Sequence, residues 1–115
     1  MTSVITHPWE SEYDIEDTEI LAETDELRVL RITLAPGQHI PWHYHSNISD
    51  RFICIEGTLE VKTRVPQEIH ILNIGNECEV SAKVAHLVSN TGAGRCRFII
   101  IQGVGAYDYL PVTGG

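Results

Sequence analysis

The sequence predicts an all-β domain, a sandwich or barrel, on three observations. Short runs rich in β-branched residues recur along the chain, glycine and proline punctuate them, and no segment keeps a 3.6-residue hydrophobic period over a helical length. The runs "EILAET" (19–24) and "LRVLRITL" (27–34) come first and lead to a turn at Ala35–Gly37. A histidine-rich run follows at 39–45. "RFICIE" (51–56) stops at Gly57, and "TLEVKTR" (58–64) begins so soon after that the two read as a hairpin about a Gly57–Thr58 corner. "EIHILNI" (68–74) runs to Gly75, "CEVSA" (78–82) is short, and "HLVSN" (86–90) meets the turn "TGAGR". "CRFIIIQGV" (96–104) is the most apolar strand. Only "ESEYDIED" (10–17) hints at a helical turn.

With 115 residues and 43% hydrophobic content, the chain can build one core and has little room for a second. It reads as a single domain: an N-terminal arm (1–18), a β core (19–105) and a C-terminal arm (106–115). The formal charge of -8 argues against nucleic acid and anionic membranes as partners. No run approaches the roughly 20 apolar residues of a membrane span. The start of the chain lacks the charged and apolar regions of a signal peptide. Cys54, Cys78 and Cys96 are odd in number and widely spaced, which suits reduced, buried thiols rather than a disulfide framework. The expected location is the cytoplasm. The closing "LPVTGG" has the LPxTG pattern of cell-wall sorting signals but no apolar segment or basic tail after it, and reads as a loose arm.

The stretch "HIPWHYHSNISD" (39–50) holds three of the six histidines and then an aspartate. Side chains two apart share a face of a strand, so His43 and His45 project together while Trp42 and Tyr44 point the other way. Two imidazoles so placed can converge on one ion. Asp50 lies an odd number of residues beyond His45, but Ser46, Asn47 and Ser49 favour a bend that returns it to the same interior. Asp50, Phe52 and Cys54 then share the inner face. "AHLVSN" adds His86 from another strand. Three imidazoles and a carboxylate suit zinc, copper, iron, nickel or manganese. An HxH pair alone is as often structural as ligating.

The window as a whole resembles the cupin family. Its first motif reads Gly, five residues, His-x-His, three or four residues, Glu, six residues, Gly. Here Gly37, His43, His45, Asp50 and Gly57 stand at that spacing, with aspartate in place of glutamate. The second motif reads Gly, five residues, Pro-x-Gly, two residues, His, three residues, Asn. Here Gly75, His86 and Asn90 match, while Ser81 and Lys83 replace the Pro and Gly and imply a different corner. The motifs lie at 37–57 and 75–90. The resemblance implies a single jelly-roll (double-stranded β-helix) barrel. It also implies one divalent transition metal per chain (Fe, Zn, Mn or Ni) held by His43, His45, Asp50 and His86, and commonly a homodimer.

Around that centre, His39 reads as a rim or outer-shell residue and His70 as a candidate for the cavity mouth. Cys54 reads as an interior residue. Arg31, Arg97 and Gln102 are candidates to bind a substrate carboxylate. No catalytic acid or base is assigned. A small-molecule enzyme is expected, with oxygenase chemistry or Lewis-acid isomerase or lyase chemistry. The alternative is a non-catalytic ligand-binding or sensor barrel.

Overall fold

The computed structural model describes residues 15–112. Their strands are β1 (Asp17–Glu23), β2 (Leu27–Leu34), β3 (His39–Tyr44), β4 (Ser49–Glu56), β5 (Leu59–Thr63), β6 (Glu68–Leu72), β7 (Glu77–Val80), β8 (His86–Ser89), β9 (Cys96–Gly103) and β10 (Leu110–Pro111). They form two five-stranded sheets, in the orders β1-β2-β9-β4-β7 and β10-β3-β8-β5-β6. All pairings are antiparallel, and four are nested: β2 with β9, β3 with β8, β4 with β7, and β5 with β6. That nesting is one long hairpin wound back on itself, with successive pairs falling on alternate sheets. It is the jelly-roll arrangement. Among the described residues there is no helix, and so none long and apolar enough to cross a membrane.

Alternation along the strands fills the space between the sheets. On β9, Cys96, Phe98, Ile100 and Gln102 are buried while their neighbours are partly exposed. On β4, Asp50, Phe52 and Cys54 do the same. The apolar centre combines Phe52 and Phe98 with Leu30, Ile32, Leu34, Leu59, Val61 and Val88. Polar inner positions gather at one end, where Arg28, Asp50 and Gln102 occupy facing positions on β2, β4 and β9.

Three expectations need correction. The runs 51–56 and 58–64 are not a hairpin: β4 pairs with β7 and β9, and β5 with β6 and β8. Gly57, at a φ of +74°, turns the chain from one sheet to the other. A side chain there would meet the Arg95 carbonyl oxygen, since a Cβ would lie 2.4 Å from it. The C-terminal arm is not loose where it is described. Leu110 and Pro111 pair with Tyr44 and His43, and the Val112 N–H donates to the Trp42 carbonyl. Residues 113–115 of "LPVTGG" lie outside the described residues, as does most of the suggested helical turn; its last residue, Asp17, begins β1. Lys83, at the position of the motif glycine, adopts a φ of 71° and donates its N–H to the His45 carbonyl. The corner thus keeps the left-handed conformation that glycine favours without having glycine.

Candidate metal centre

His43 and His86 come from the second sheet, His45 from just past the end of β3, and Asp50 from the first sheet, so the centre lies between the sheets. His43 and His86 face each other across the β3–β8 ladder. A register shift between Ile40 and His43, across Pro41 and Trp42, changes the parity of β3. It turns both Ile40 and His43 inward and leaves His39 exposed, opposite Ser89. Just beyond β3, residues 46 and 47 bend the chain, and the Ser46 N–H donates to the Asp108 carboxylate. Asp50 then re-enters on β4, fully buried.

One potential ligand atom from each of the four residues lies within 4.8 Å of the others. Exposure is 4% or less for all four: His43 4%, His45 2%, His86 1% and Asp50 0%. Each imidazole is oriented from behind. Nδ1 of His43 lies 2.8 Å from the Pro41 carbonyl, that of His45 2.5 Å from the Asp108 carbonyl, and that of His86 2.9 Å from the Val84 carbonyl. A carbonyl only accepts, so each Nδ1–H donates and each Nε2 is left as the inward atom. That is the tautomer a metal ligand needs. The Nε2 atoms of His45 and His86 both lie 2.9 Å from Asp50 Oδ2. Between neutral rings and a carboxylate, those contacts are lone pair against lone pair unless a proton or a cation stands between them. A divalent transition metal therefore fits this donor set.

Charge follows the same geometry. Burial, and then the proximity of His86 and His45, lowers His43 to about 3, so its ring is neutral. Burial works to raise Asp50, but hydrogen bonds with His45 and His86 and their charge outweigh it and hold the carboxyl well below 3.8. Burial works to lower His45, yet its bond to Asp50 and that carboxylate's charge leave it raised above 6.5.

A pH dependence follows for the metal-free protein. Between pH 6.5 and about 3, the unfolded chain protonates His43 and the folded one does not, so stability falls as pH falls. Asp50 adds a further loss below its unfolded value of 3.8. His45 acts oppositely: its contribution is complete below 6.5 and is lost as pH rises through its raised folded value. Metal-free protein is expected to have its highest Tm near pH 6.5, with lower values at pH 5 and pH 8. A Tm that climbs steadily from pH 6.5 to 4.5 contradicts a neutral His43.

The other candidates separate. Gln102 is at the centre, its Nε2–H donating to Asp50 Oδ1 at 3.2 Å. Cys54 faces inward but lies four residues along β4 from Asp50, about 13 Å at strand rise. Its thiol donates to the Glu56 and Gly57 carbonyls. Burial raises Cys96 to about 12 and Cys78 to about 11, so these two thiols stay protonated and inert. His70 lies on β6 beside Glu68, away from the cavity. Arg31 pairs with Glu19 outside the barrel, and Arg97 contacts Thr33 and Glu56. Odd parity on β2 and β9 carries both arginines away from the interior.

The C-terminal segment supplies what sequence reasoning missed. The Tyr109 ring stacks on His43, with centroids 4.5 Å apart, and the Tyr107 ring lies 5.4 Å from His45. The Arg28 guanidinium sits over Tyr107 at 3.8 Å, and its Nε is 3.4 Å from a Glu23 oxygen. Both tyrosines line the cavity with His43, His45, Asp50 and Gln102; it is about 20 Å³, room for little more than one water.

Known proteins share this architecture. The Cupin domain family matches residues 30–102. A mannose-1-phosphate guanylyltransferase of Sinorhizobium fredii is 29% identical over 83 residues, which are 72% of this chain but only 16% of that protein. A protein with a double-stranded β-helix domain from Klebsiella pneumoniae superposes with a TM-score of 0.71 at 20% identity, covering 96% of this chain and all of its own (100%). An oxalate oxidase superposes with a TM-score of 0.66 at 16% identity, over 76% of this chain and 46% of its own. These structures share the fold.

Proposed function

The chain belongs to the cupin family, and from that premise we propose that it is a metal-dependent enzyme acting on a small molecule at His43, His45, Asp50 and His86. The observation that carries this reading is the set of three Nδ1–carbonyl contacts, which leave every Nε2 as an inward ligand beside one carboxylate oxygen. A bound divalent ion would polarise a carbonyl or hold an oxygen-donor substrate. The chain's own contribution is to fix the imidazoles, to supply one negative charge through Asp50 and to exclude water with Tyr107 and Tyr109. Burial raises the Tyr107 phenol, which keeps it protonated as an O–H donor at the cavity wall. Iron favours oxygenase chemistry; zinc, nickel or manganese favours isomerase or lyase chemistry.

One observation favours a second reading. A cavity of about 20 Å³ is filled by an ion or a water and little else, which also suits a binding or sensor barrel. Metal analysis of protein purified without added metal tests the first step, with about one equivalent expected per chain. Oxygen-uptake assays follow if the metal is iron. Absence of any bound transition metal, and of uptake on titration, removes both readings.

We propose a cytoplasmic location, a reading supported by Cys54, Cys78 and Cys96 being free thiols. We further propose a homodimer through the outer face of the second sheet. Trp42 lies there beneath the Arg64 guanidinium at 4.2 Å, in a shared surface groove with Ile69, which is 61% exposed. Light scattering at micromolar protein should return twice the 12.9 kDa chain mass. A monomer mass rejects the dimer.

A further inference from the structure

Gln102 is the inner residue of β9 directly opposite Asp50 in the β4–β9 ladder, and it is 6% exposed. An ionised carboxylate only accepts, so the amide group facing Asp50 Oδ1 at 3.2 Å is the NH₂. That bond fixes the other half of the amide. The Gln102 Oε1 atom is buried, belongs to a residue lining the cavity, and has no hydrogen-bond partner among the described residues. Folded proteins leave few such oxygens, and one on a cavity wall calls for a donor from whatever fills the cavity. Neither tyrosine hydroxyl of the cavity wall bonds Oε1, and the inward atoms of His43, His45 and Asp50 face the ion as acceptors.

Resting on the metal reading above, we propose that Gln102 determines ligand specificity by accepting a hydrogen bond from a hydroxyl that the ligand brings next to the ion. The enclosed space takes the ion and the hydroxyl alone, so the ligand class is a small hydroxyl-bearing oxygen donor, such as a 2-hydroxy acid, whose remainder displaces the Tyr107–Tyr109 wall. The matching 2-oxo acid would set a carbonyl oxygen against Oε1. This reverses the expected role of Gln102, whose NH₂ is committed to Asp50 and so unavailable to a substrate carboxylate. A site built around an unpaired acceptor discriminates against analogues that lack the donor.

Lactate and pyruvate share a skeleton and differ at this one group. The protein is first titrated with Co²⁺ alone, followed by its visible absorption. The cobalt form is then titrated with each acid. Wild type is expected to bind lactate about tenfold more tightly than pyruvate. Gln102→Met, which keeps length and loses both polar atoms, should bring the ratio to about one. The loss of the Asp50 contact in that variant acts on both acids alike and cancels in the ratio. Gln102→Glu, which keeps an oxygen towards the cavity, should retain the preference. Equal affinities in wild type, no response to lactate, or a preference that survives Gln102→Met overturns the proposal. Failure of wild type to take up cobalt overturns the metal reading on which it rests.

Discussion

Replacing His43 with alanine is expected to abolish metal binding while leaving a folded protein, whereas replacing His45 abolishes binding and also destabilises the fold. The two histidines look equivalent in sequence, but their partners differ. The His43 ring is neutral, stacks on Tyr109 and makes no hydrogen bond to Asp50. Its removal costs packing, roughly 2–4 kcal/mol for a buried ring, and strands no charge. His45 carries one of the two imidazole contacts to a fully buried carboxylate. Breaking one side of such a pair costs about 3–5 kcal/mol, because the other charge is left buried. In both variants metal affinity should fall by more than the 10- to 100-fold typical of outer-shell changes. Urea unfolding of the metal-free variants, alongside zinc titration, separates the effects. Equal loss of stability in the two, or retained zinc binding in either, contradicts the assigned geometry.

The sequence makes the strands and the convergence of the four site residues legible because both depend on short-range rules. Period-two alternation places Asp50, Phe52 and Cys54 on one face, and β4 has that pattern. The turn formers after His45 imply the bend that restores Asp50 to the interior. Legibility ends where one residue changes parity or where chain ends meet. His39 shares parity with His43 on an unbroken strand, yet the irregularity across Pro41 and Trp42 sends it outward. The runs on either side of Gly57 look like hairpin partners, and nothing local says that the corner changes sheets. The Tyr107–Tyr109 segment has no periodic pattern, and its contacts reach residues some sixty positions earlier: Asp108 orients His45 and bonds Ser46. Such contacts are set by how the closing segment lies across the barrel. Position on a strand is readable from the residues, but the far wall of the cavity is not.

Asp50→Asn is expected to leave the metal-free fold intact and to remove the stabilisation that metal confers. The reason lies in what surrounds each oxygen. Gln102 donates to Oδ1, so an asparagine would keep its carbonyl oxygen there. Its NH₂ would then stand where Oδ2 does, 2.9 Å from two imidazole nitrogens whose lone pairs it can satisfy. The variant thus has a complete set of hydrogen bonds without an ion. The same NH₂ points its protons at the place a cation would occupy and withdraws the only carboxylate of the cluster. In wild type, zinc at 100 times its Kd should add about 2.7 kcal/mol, a Tm rise on the order of 10 °C for a domain this small. In Asp50→Asn the rise should vanish while the metal-free Tm, compared at a pH above the raised His45 value so that both rings are neutral, stays within a few degrees of wild type. If Asp50 serves instead as a permanent counter-ion to a protonated His45, the outcome is reversed. Asparagine would leave an imidazolium without its carboxylate, the metal-free Tm would drop even at a pH above the raised His45 value, where the metal-ligand reading has both rings neutral, and zinc would raise the Tm of neither protein. Calorimetry of both proteins with and without zinc distinguishes the two roles, because only a metal ligand couples the loss of charge to the loss of the zinc response.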